Sequence, residues 1–531
     1  MPSCGEAVVG LLEQLGTPTV FGIPGVHTIE LYRGLSRSGL RHVAPRHEQG
    51  AAFMADAWAR VTGQPGVCVL ISGPGLTNAL TGIAQAYHDS IPMLVISGAV
   101  ADERRGLGEI HDLPDQRALM ASVTAFSHSV RDPDELPEVF GRARAVFASQ
   151  RPRPVHVQIP VDILARDAGV PGPLAAAPAP PLADREAVAR AAERLARAAA
   201  PLIILGGGAR DAGPAAIALA EALGAPIGLT INARGSVDHD HELCLGSALC
   251  FAPVSDLLRD ADAVVLAGAE LSELDLWGLD RPLELRGVVR IDIDAGQLQR
   301  RWPAAETLQG DASATLAAIA QALPAPDGAG ATAMTARRER TAARVRDALA
   351  ALRPPAELAR FEPLLAVLDR TLPRDRIVAG DSTQPVYAAN HLLAMHEPRS
   401  WLMPIGYGCL GCALPMALGA KLAAPRRPVL AIAGDGGFLF TVAELATARE
   451  LGLAVPLLVY NNGGYGEIRD AMDAASVPHL GTDAPVHDIV ALARGFGCAA
   501  ARTSSLDDLE PLLGAALAAE GPTVIELTAA A

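Results

Sequence analysis

The sequence predicts an α/β protein of three doubly wound, parallel-sheet domains. Three observations predict it. Short apolar, β-branched runs ending in glycine recur along the 531 residues, each is followed by an alanine- and leucine-rich segment of helical period, and two proline-rich stretches divide the chain. A strand buried on both faces has no polar face to alternate, so continuous apolar runs between helices are the pattern of a covered parallel sheet.

In chain order the runs are 66–73, 93–98, 201–208, 263–268, 429–434 and 456–462. The breaks are 170–184, which contains PGPLAAAPAPPLAD, and 323–331, which leads into an arginine-rich helix near 337–352. Both read as linkers, because proline fixes φ and removes a donor while the composition offers little to bury. The domains expected are 1–168, 184–323 and 356–531. No short repeat is present, but the first and last thirds share a rhythm of strand, glycine turn and helix.

A chain of this length with 50% hydrophobic residues can bury several cores. Its net charge of -15 leaves no positive footprint for nucleic acid or an anionic membrane, so a small-molecule partner is expected. No run reaches the roughly 18 apolar residues of a membrane span, and the start lacks a basic segment followed by an apolar one; a cytoplasmic place is expected. Seven scattered cysteines, an odd number, suit free thiols in a reducing compartment. Cys409 and Cys412 form a close pair, without the second pair that would complete a tetrahedral metal site.

The most specific signal is Gly434-Asp435-Gly436-Gly437 after the strand 428–433, with Asn461-Asn462 ending the strand 456–460 and a helix expected over 441–451 between them. Such a unit sets Asp435 and Asn462 side by side at the carboxyl edge of a sheet, where ligands bind. Magnesium takes hard oxygen ligands, which both side chains carry. Glycines 434, 436 and 437 allow close backbone approach to a diphosphate, whose charge suits a helix start. Gly-Asp-Gly alone is a common turn. The spacing to Asn-Asn is what makes it specific.

The pattern GDGGF…NNGGYG resembles the thiamine-diphosphate motif shared by acetolactate synthases, pyruvate decarboxylases and benzoylformate decarboxylases. The resemblance implies thiamine diphosphate and Mg2+ as cofactors, with the metal on Asp435, Asn462 and the Gly464 carbonyl, and names the outer domains pyrimidine-binding and diphosphate-binding. The stretch Gly380-Asp381-Ser382-Thr383-Gln384 resembles the family's second diphosphate loop; by residue type alone it is equally a helix N-cap. The segment 406–415 resembles the loop beneath the cofactor, where Leu410 would force the bent conformation and the Gly408 carbonyl would accept a hydrogen bond from the aminopyrimidine. Without the resemblance Leu410 reads as core.

The chain from His47 through Ser97, including HEQGAA, MAD, GPG and TN, resembles acetolactate synthase almost continuously. Glu48 is thereby implied as the carboxyl group that bonds the pyrimidine ring and activates the cofactor, a task that suits a raised pKa. The plain alternative is a surface carboxylate in a first helical turn. Pro24, Gly25, Gly73 and Asn78 would line the same pocket. In this family the two halves of one site come from different subunits, which implies a homodimer or homotetramer.

Acetolactate synthases bind flavin in the middle domain through an arginine-bearing loop. The stretch 268–275 has no matching arginine, so FAD is not expected there. Where those enzymes carry Phe-Gln-Glu this chain has Ile110-His111-Asp112, and Lys421 is its one lysine. After Asn462 the substrate-lining positions hold Glu467 and Ile468. A carboxylate at Glu467 suits a cationic tail, or else pairs with Arg469 or Arg449 at the surface. VFGIPGVHTIELYRGL, IHDLPDQRAL and NNGGYGEIRD resemble the 5-guanidino-2-oxopentanoate decarboxylases of arginine catabolism. The expected reaction is decarboxylation of a 2-oxo acid to an aldehyde and carbon dioxide, with His111 as a proton shuttle or a structural residue. The alternatives are acetolactate-type carboligation and a non-catalytic thiamine-diphosphate-binding protein.

Overall fold

The computed structural model describes residues 1–279, 281–325, 328–483 and 488–529. It contains three parallel sheets. The first is built from Thr19–Phe21, Arg41–Val43, Gly66–Leu70, Met93–Ala99, Phe126–Ser129 and Pro154–Pro160, laid side by side in the order 2-1-3-4-6-5 by chain rank. The third is built from Ile377–Gly380, Trp401–Leu402, Val429–Gly434, Pro456–Asn461, Ala499–Thr503 and Thr523–Thr528. Its strand order is the same. The rhythm shared by the first and last thirds of the sequence is therefore a shared topology. The middle sheet, Pro201–Leu205, Ile227–Leu229, Ala263–Ala267, Val288–Asp292 and Ala304–Gln309, runs 5-4-3-1-2. In each sheet the second strand lies on one side of the first and the rest on the other. The resulting crevice at the carboxyl ends of strands 1 and 3 is where open α/β sheets bind ligands.

The chain divides into two compact units. One comprises Met1–Ala179, Ile377–Thr383 and Leu402–Ala531, and so holds the first sheet and nearly all of the third. Its core joins the helix Glu48–Thr62 to the helix Ala413–Ala423. A glycine permits that approach, since a Cβ on Gly419 would lie 2.3 Å from the Met54 carbonyl oxygen; the helix Pro74–His88 packs as closely on the same helix, where a Cβ on Gly82 would lie 2.6 Å from the Ala52 Cβ. Phe53, Met54 and Ala55 are fully buried, which fixes the start of the helix that carries Glu48.

The second unit comprises Pro180–Arg376 and Gln384–Trp401. The segments 356–376 and 384–401, expected with the carboxy-terminal domain, fall in this unit, although Trp401 itself starts a strand of the third sheet. The linker expected at 323–331 is partly helical, since a helix spans Gly328–Ala350; residues 326 and 327 lie outside the described ones. The single helix expected over 441–451 is two, Asp435–Phe440 and Glu444–Glu450. Thr441 separates them, with φ at -135° and its hydroxyl donating to the Gly411 carbonyl at 2.7 Å.

All seven cysteines are free and buried. Burial pushes the Cys409 thiol up to about 12 and raises the Cys412 thiol well above its ordinary value, so both stay protonated. Among the described residues no helix is long and apolar enough to cross a membrane.

Candidate active site

At the carboxyl edge of the third sheet, Gly434 ends a strand and Asp435 opens the next helix. Asp435 is 1% exposed, and burial raises its pKa although its carboxylate accepts the backbone N–H groups of Gly436 and Gly464. Two of the residues expected to hold the metal, Asp435 and Gly464, 29 residues apart in the chain, therefore meet through the Gly464 N–H. Arg469 holds the adjoining turn, donating to the carbonyls of Asn462 at 2.7 Å and Gly463 at 3.4 Å and pairing with Asp483 at 3.3 Å. A carboxylate, an asparagine and a backbone carbonyl form a hard oxygen set that fits magnesium, whose charge would favour an ionised Asp435.

The glycines serve the protein's own packing first. A Cβ on Gly436 would stand 2.7 Å from the Tyr465 ring, one on Gly437 2.5 Å from the Asp381 carboxylate, and one on Gly434 2.9 Å from the Thr383 hydroxyl. Asp381 is the organising residue here. It accepts N–H bonds from Ser382 at 2.8 Å and Gly411 at 2.8 Å, and burial pushes it up to about 6. Ser382 donates its hydroxyl to the Cys409 carbonyl at 3.1 Å. These bonds hold the loop of Gly408, at φ +67°, and half-buried Leu410 against the sheet edge. Gln384 is buried and starts the helix Gln384–Leu392 in the second unit. Glu467 is half-buried and Ile468 is 50% exposed, both in the first turn of the helix Gly466–Ala474.

At the carboxyl edge of the first sheet, Glu48 begins its helix half-buried and accepts from the Asn78 amide at 2.9 Å. A Cβ on Gly75 would lie 3.5 Å from the Glu48 carboxylate, and one on Gly25 would lie 2.2 Å from Ile71. Pro24 leads into that Gly25 turn, which is tied by the Gly25 N–H to the Thr28 hydroxyl at 3.2 Å. Gly73, at φ +62°, packs against the backbone of His111. The loop carrying His111 is moored by buried Gln116, which accepts the Gly73 N–H at 3.0 Å and donates to the Ser97 hydroxyl and the Gly98 carbonyl at 3.0 and 2.9 Å.

Three further groups support these edges and carried no local signal. Glu444 is buried and accepts the N–H groups of Arg46 and His47 at 3.0 and 3.1 Å, together with the Thr447 hydroxyl, while burial raises its pKa. It holds the chain just ahead of Glu48. Arg60, buried, pairs with Asp56 at 2.5 Å and Asp89 at 2.7 Å, and Asp89 accepts the Gly406 N–H at 2.8 Å. His27 lies beside Ser72 and His111.

Elsewhere, Asp238, Asp240 and His396 cluster as metal ligands can. Arg374 already fills that place, pairing with Asp238 at 3.0 Å and Asp240 at 2.6 Å.

Sequence models for the thiamine pyrophosphate enzymes match the chain three times. The N-terminal TPP binding domain matches residues 2–119, the central domain 188–319 and the C-terminal TPP binding domain 381–527. A probable 2-ketoarginine decarboxylase, AruI, of Pseudomonas aeruginosa is 46% identical over 99% of this chain and 94% of its own. The large subunit of acetolactate synthase isozyme 2 of Escherichia coli is 32% identical over 98% and 94%. A crystal structure from Mycobacterium smegmatis, assigned to the thiamin diphosphate-dependent enzymes, superposes with a TM-score of 0.82 at 26% identity over the whole of both chains.

Proposed function

The chain belongs to the thiamine pyrophosphate enzymes, and from that premise we propose that it decarboxylates 5-guanidino-2-oxopentanoate to an aldehyde and carbon dioxide. That it is an enzyme of the decarboxylase or carboligase kind follows from its relatives, so the non-catalytic alternative falls away. The observation that carries the reading is the meeting of buried Asp435 with Gly464 at one sheet edge, in a chain 46% identical to the 2-ketoarginine decarboxylase.

In this reading Asp435, Asn462 and Gly464 hold Mg2+, and Gly434, Gly436, Gly437, Ser382, Thr383 and Gln384 face the diphosphate. Leu410, Gly408, Pro24, Gly25 and Gly73 shape the space for the rings. Thiamine diphosphate, when bound, supplies the electron sink for the pair left behind as carbon dioxide departs. Glu48, oriented by Asn78, holds a proton at the pyrimidine ring, His111 supplies one near the reacting carbon, and Glu467 with Ile468 receives the substrate tail. No part of this assignment calls on FAD. The exposed apolar side chains beside both edges, among them Val26, Ile29 and Ile110 at the first and Phe440 and Leu480 at the third, suit burial against a second copy that completes the site. The seven free thiols accord with a cytoplasmic place.

Carbon dioxide and aldehyde release from 5-guanidino-2-oxopentanoate, against pyruvate, tests the reading with thiamine diphosphate and Mg2+ supplied and flavin omitted. A strong preference for the guanidino acid is expected. Glu467→Gln should raise its KM about 10- to 100-fold, as expected for a lost charge-assisted bond, and leave that of pyruvate unchanged. The second reading, acetolactate-type carboligation, is favoured by the 32% identical synthases; acetolactate as the main product from pyruvate would establish it instead.

A further inference from the structure

His27 follows the Pro24-Gly25 turn, and the sequence alone gave it no role. Its Nδ1 is hydrogen-bonded with the Ser72 hydroxyl at 2.5 Å, and Ser72 is buried at the end of the strand Gly66–Leu70, next to Gly73. The His27 ring meets the His111 ring edge to face, with centroids 5.3 Å apart. Two chain segments are brought close to make that contact. A Cβ on Gly98 would lie 2.5 Å from the His27 carbonyl oxygen, and one on Gly73 would lie 2.7 Å from the His111 carbonyl oxygen. His111 is also held at φ +64°, a conformation that non-glycine residues seldom adopt and that marks a position fixed by its surroundings. Its buried Nδ1 has no hydrogen-bond partner among the described residues. A polar ring atom left unpaired in a strained loop, facing another imidazole, is costly unless something uses it.

We propose that His27 is a positioning residue for the acid of this site: His27 and His111 form an imidazole pair that shares one proton, and His27 sets the pH at which His111 carries it. Two cationic rings at this separation repel, so protonating one disfavours the other. The groups acting on His27 agree with this. Burial and His111 lower its pKa, and Glu109 opposes them. In the proposed decarboxylation, which this role presupposes, the bond from the carbonyl carbon to the carboxylate breaks and carbon dioxide leaves. The electron pair left at that carbon takes the His111 proton as a new C–H bond, the aldehyde is released, and solvent returns one proton to the pair. One proton is consumed per turnover and nothing is oxidised.

The test compares wild type, His27→Gln and His27→Lys. In the cofactor-free protein, diethyl pyrocarbonate modification of His111 is followed against pH by peptide mass spectrometry. The midpoint should rise in His27→Gln, which removes the competing ring, and fall in His27→Lys, which adds a fixed charge, each by about half a unit or more. In the holoenzyme, kcat of His27→Gln should drop about tenfold, with its alkaline limb moved upward and KM within threefold, since a partner of an active group is typically worth that much. Equal His111 midpoints in all three proteins would overturn the proposal. Should the lysine variant not fold, His27→Asn carries the same upward expectation as glutamine. Shifted midpoints in a protein that decarboxylates no 2-oxo acid would sink the proposed function and leave the pair standing.

Discussion

The first and third sheets run their strands in the same order, and each opens a crevice between the loops that follow strands 1 and 3. At the third edge Asp381 and Asp435 are each 1% exposed, accept backbone N–H groups and are pushed up by burial. At the first edge Glu48 stands half-buried, held by one side-chain amide from Asn78. The middle sheet has the same crossover, and its loops are joined to one another by hydrogen bonds. The Gly208 N–H donates to the Gly268 carbonyl at 3.0 Å, and Asp275 accepts the N–H groups of Ile231 and Ser272 at 2.8 and 2.7 Å across the opening. Topology thus decides where a site can be. The residues at each edge decide how its carboxylates are buried and held.

If the two outer edges divide the work in this way, their carboxylates fail differently. Glu48→Gln should lower turnover about 100- to 10,000-fold, the usual worth of a general acid–base group, while thiamine diphosphate binding by fluorescence titration stays near wild type. Asp435→Ala should instead weaken that binding at least about a hundredfold; equal binding losses in both variants would break the comparison. Next in size is the framework beneath. Arg60→Met leaves Asp56 and Asp89 buried without their cation, which typically costs about 3–5 kcal/mol, read as the loss in urea unfolding free energy.

The buried seat also has a pH signature. Asp381 is raised from 3.8 to about 6 in the fold. The stability it lends is therefore full below pH 4 and lost as pH climbs through about 6, a swing of up to about 3 kcal/mol. Urea midpoints of the cofactor-free protein at pH 4.5 and 7.5 should differ less in Asp381→Asn than in wild type; an undiminished difference would place the titration elsewhere. The smallest effect belongs to the open edge. Asn78→Ala removes one half-exposed hydrogen bond to Glu48 and should reduce kcat about threefold to tenfold, with no change in unfolding free energy beyond about 1 kcal/mol.

Residues whose role is written in their immediate neighbours were legible. Gly434-Asp435 and Asn461-Asn462 end apolar runs, and a strand end followed by glycine is a local fact of the chain. Glu444 was not, because its acceptors' partners, Arg46 and His47, lie 398 and 397 residues away. The Arg60 to Asp89 pair and the His27 to Ser72 bond likewise join separate elements. The split at Thr441 was missed for the same reason, since its hydroxyl is drawn to Gly411 rather than to its own helix.

By itself the sequence determined the α/β class, the alternation of covered strands and helices, and Asp435 at a strand end, since burial period and glycine turns act over a few residues; Glu48 was implied by the family resemblance. Only the tertiary structure decided which buried groups brace the loops beside the edges, and that His27 meets His111. Those outcomes depend on packing between segments far apart in the chain, where a hydrogen bond forms only after helices and sheet have brought its two ends together.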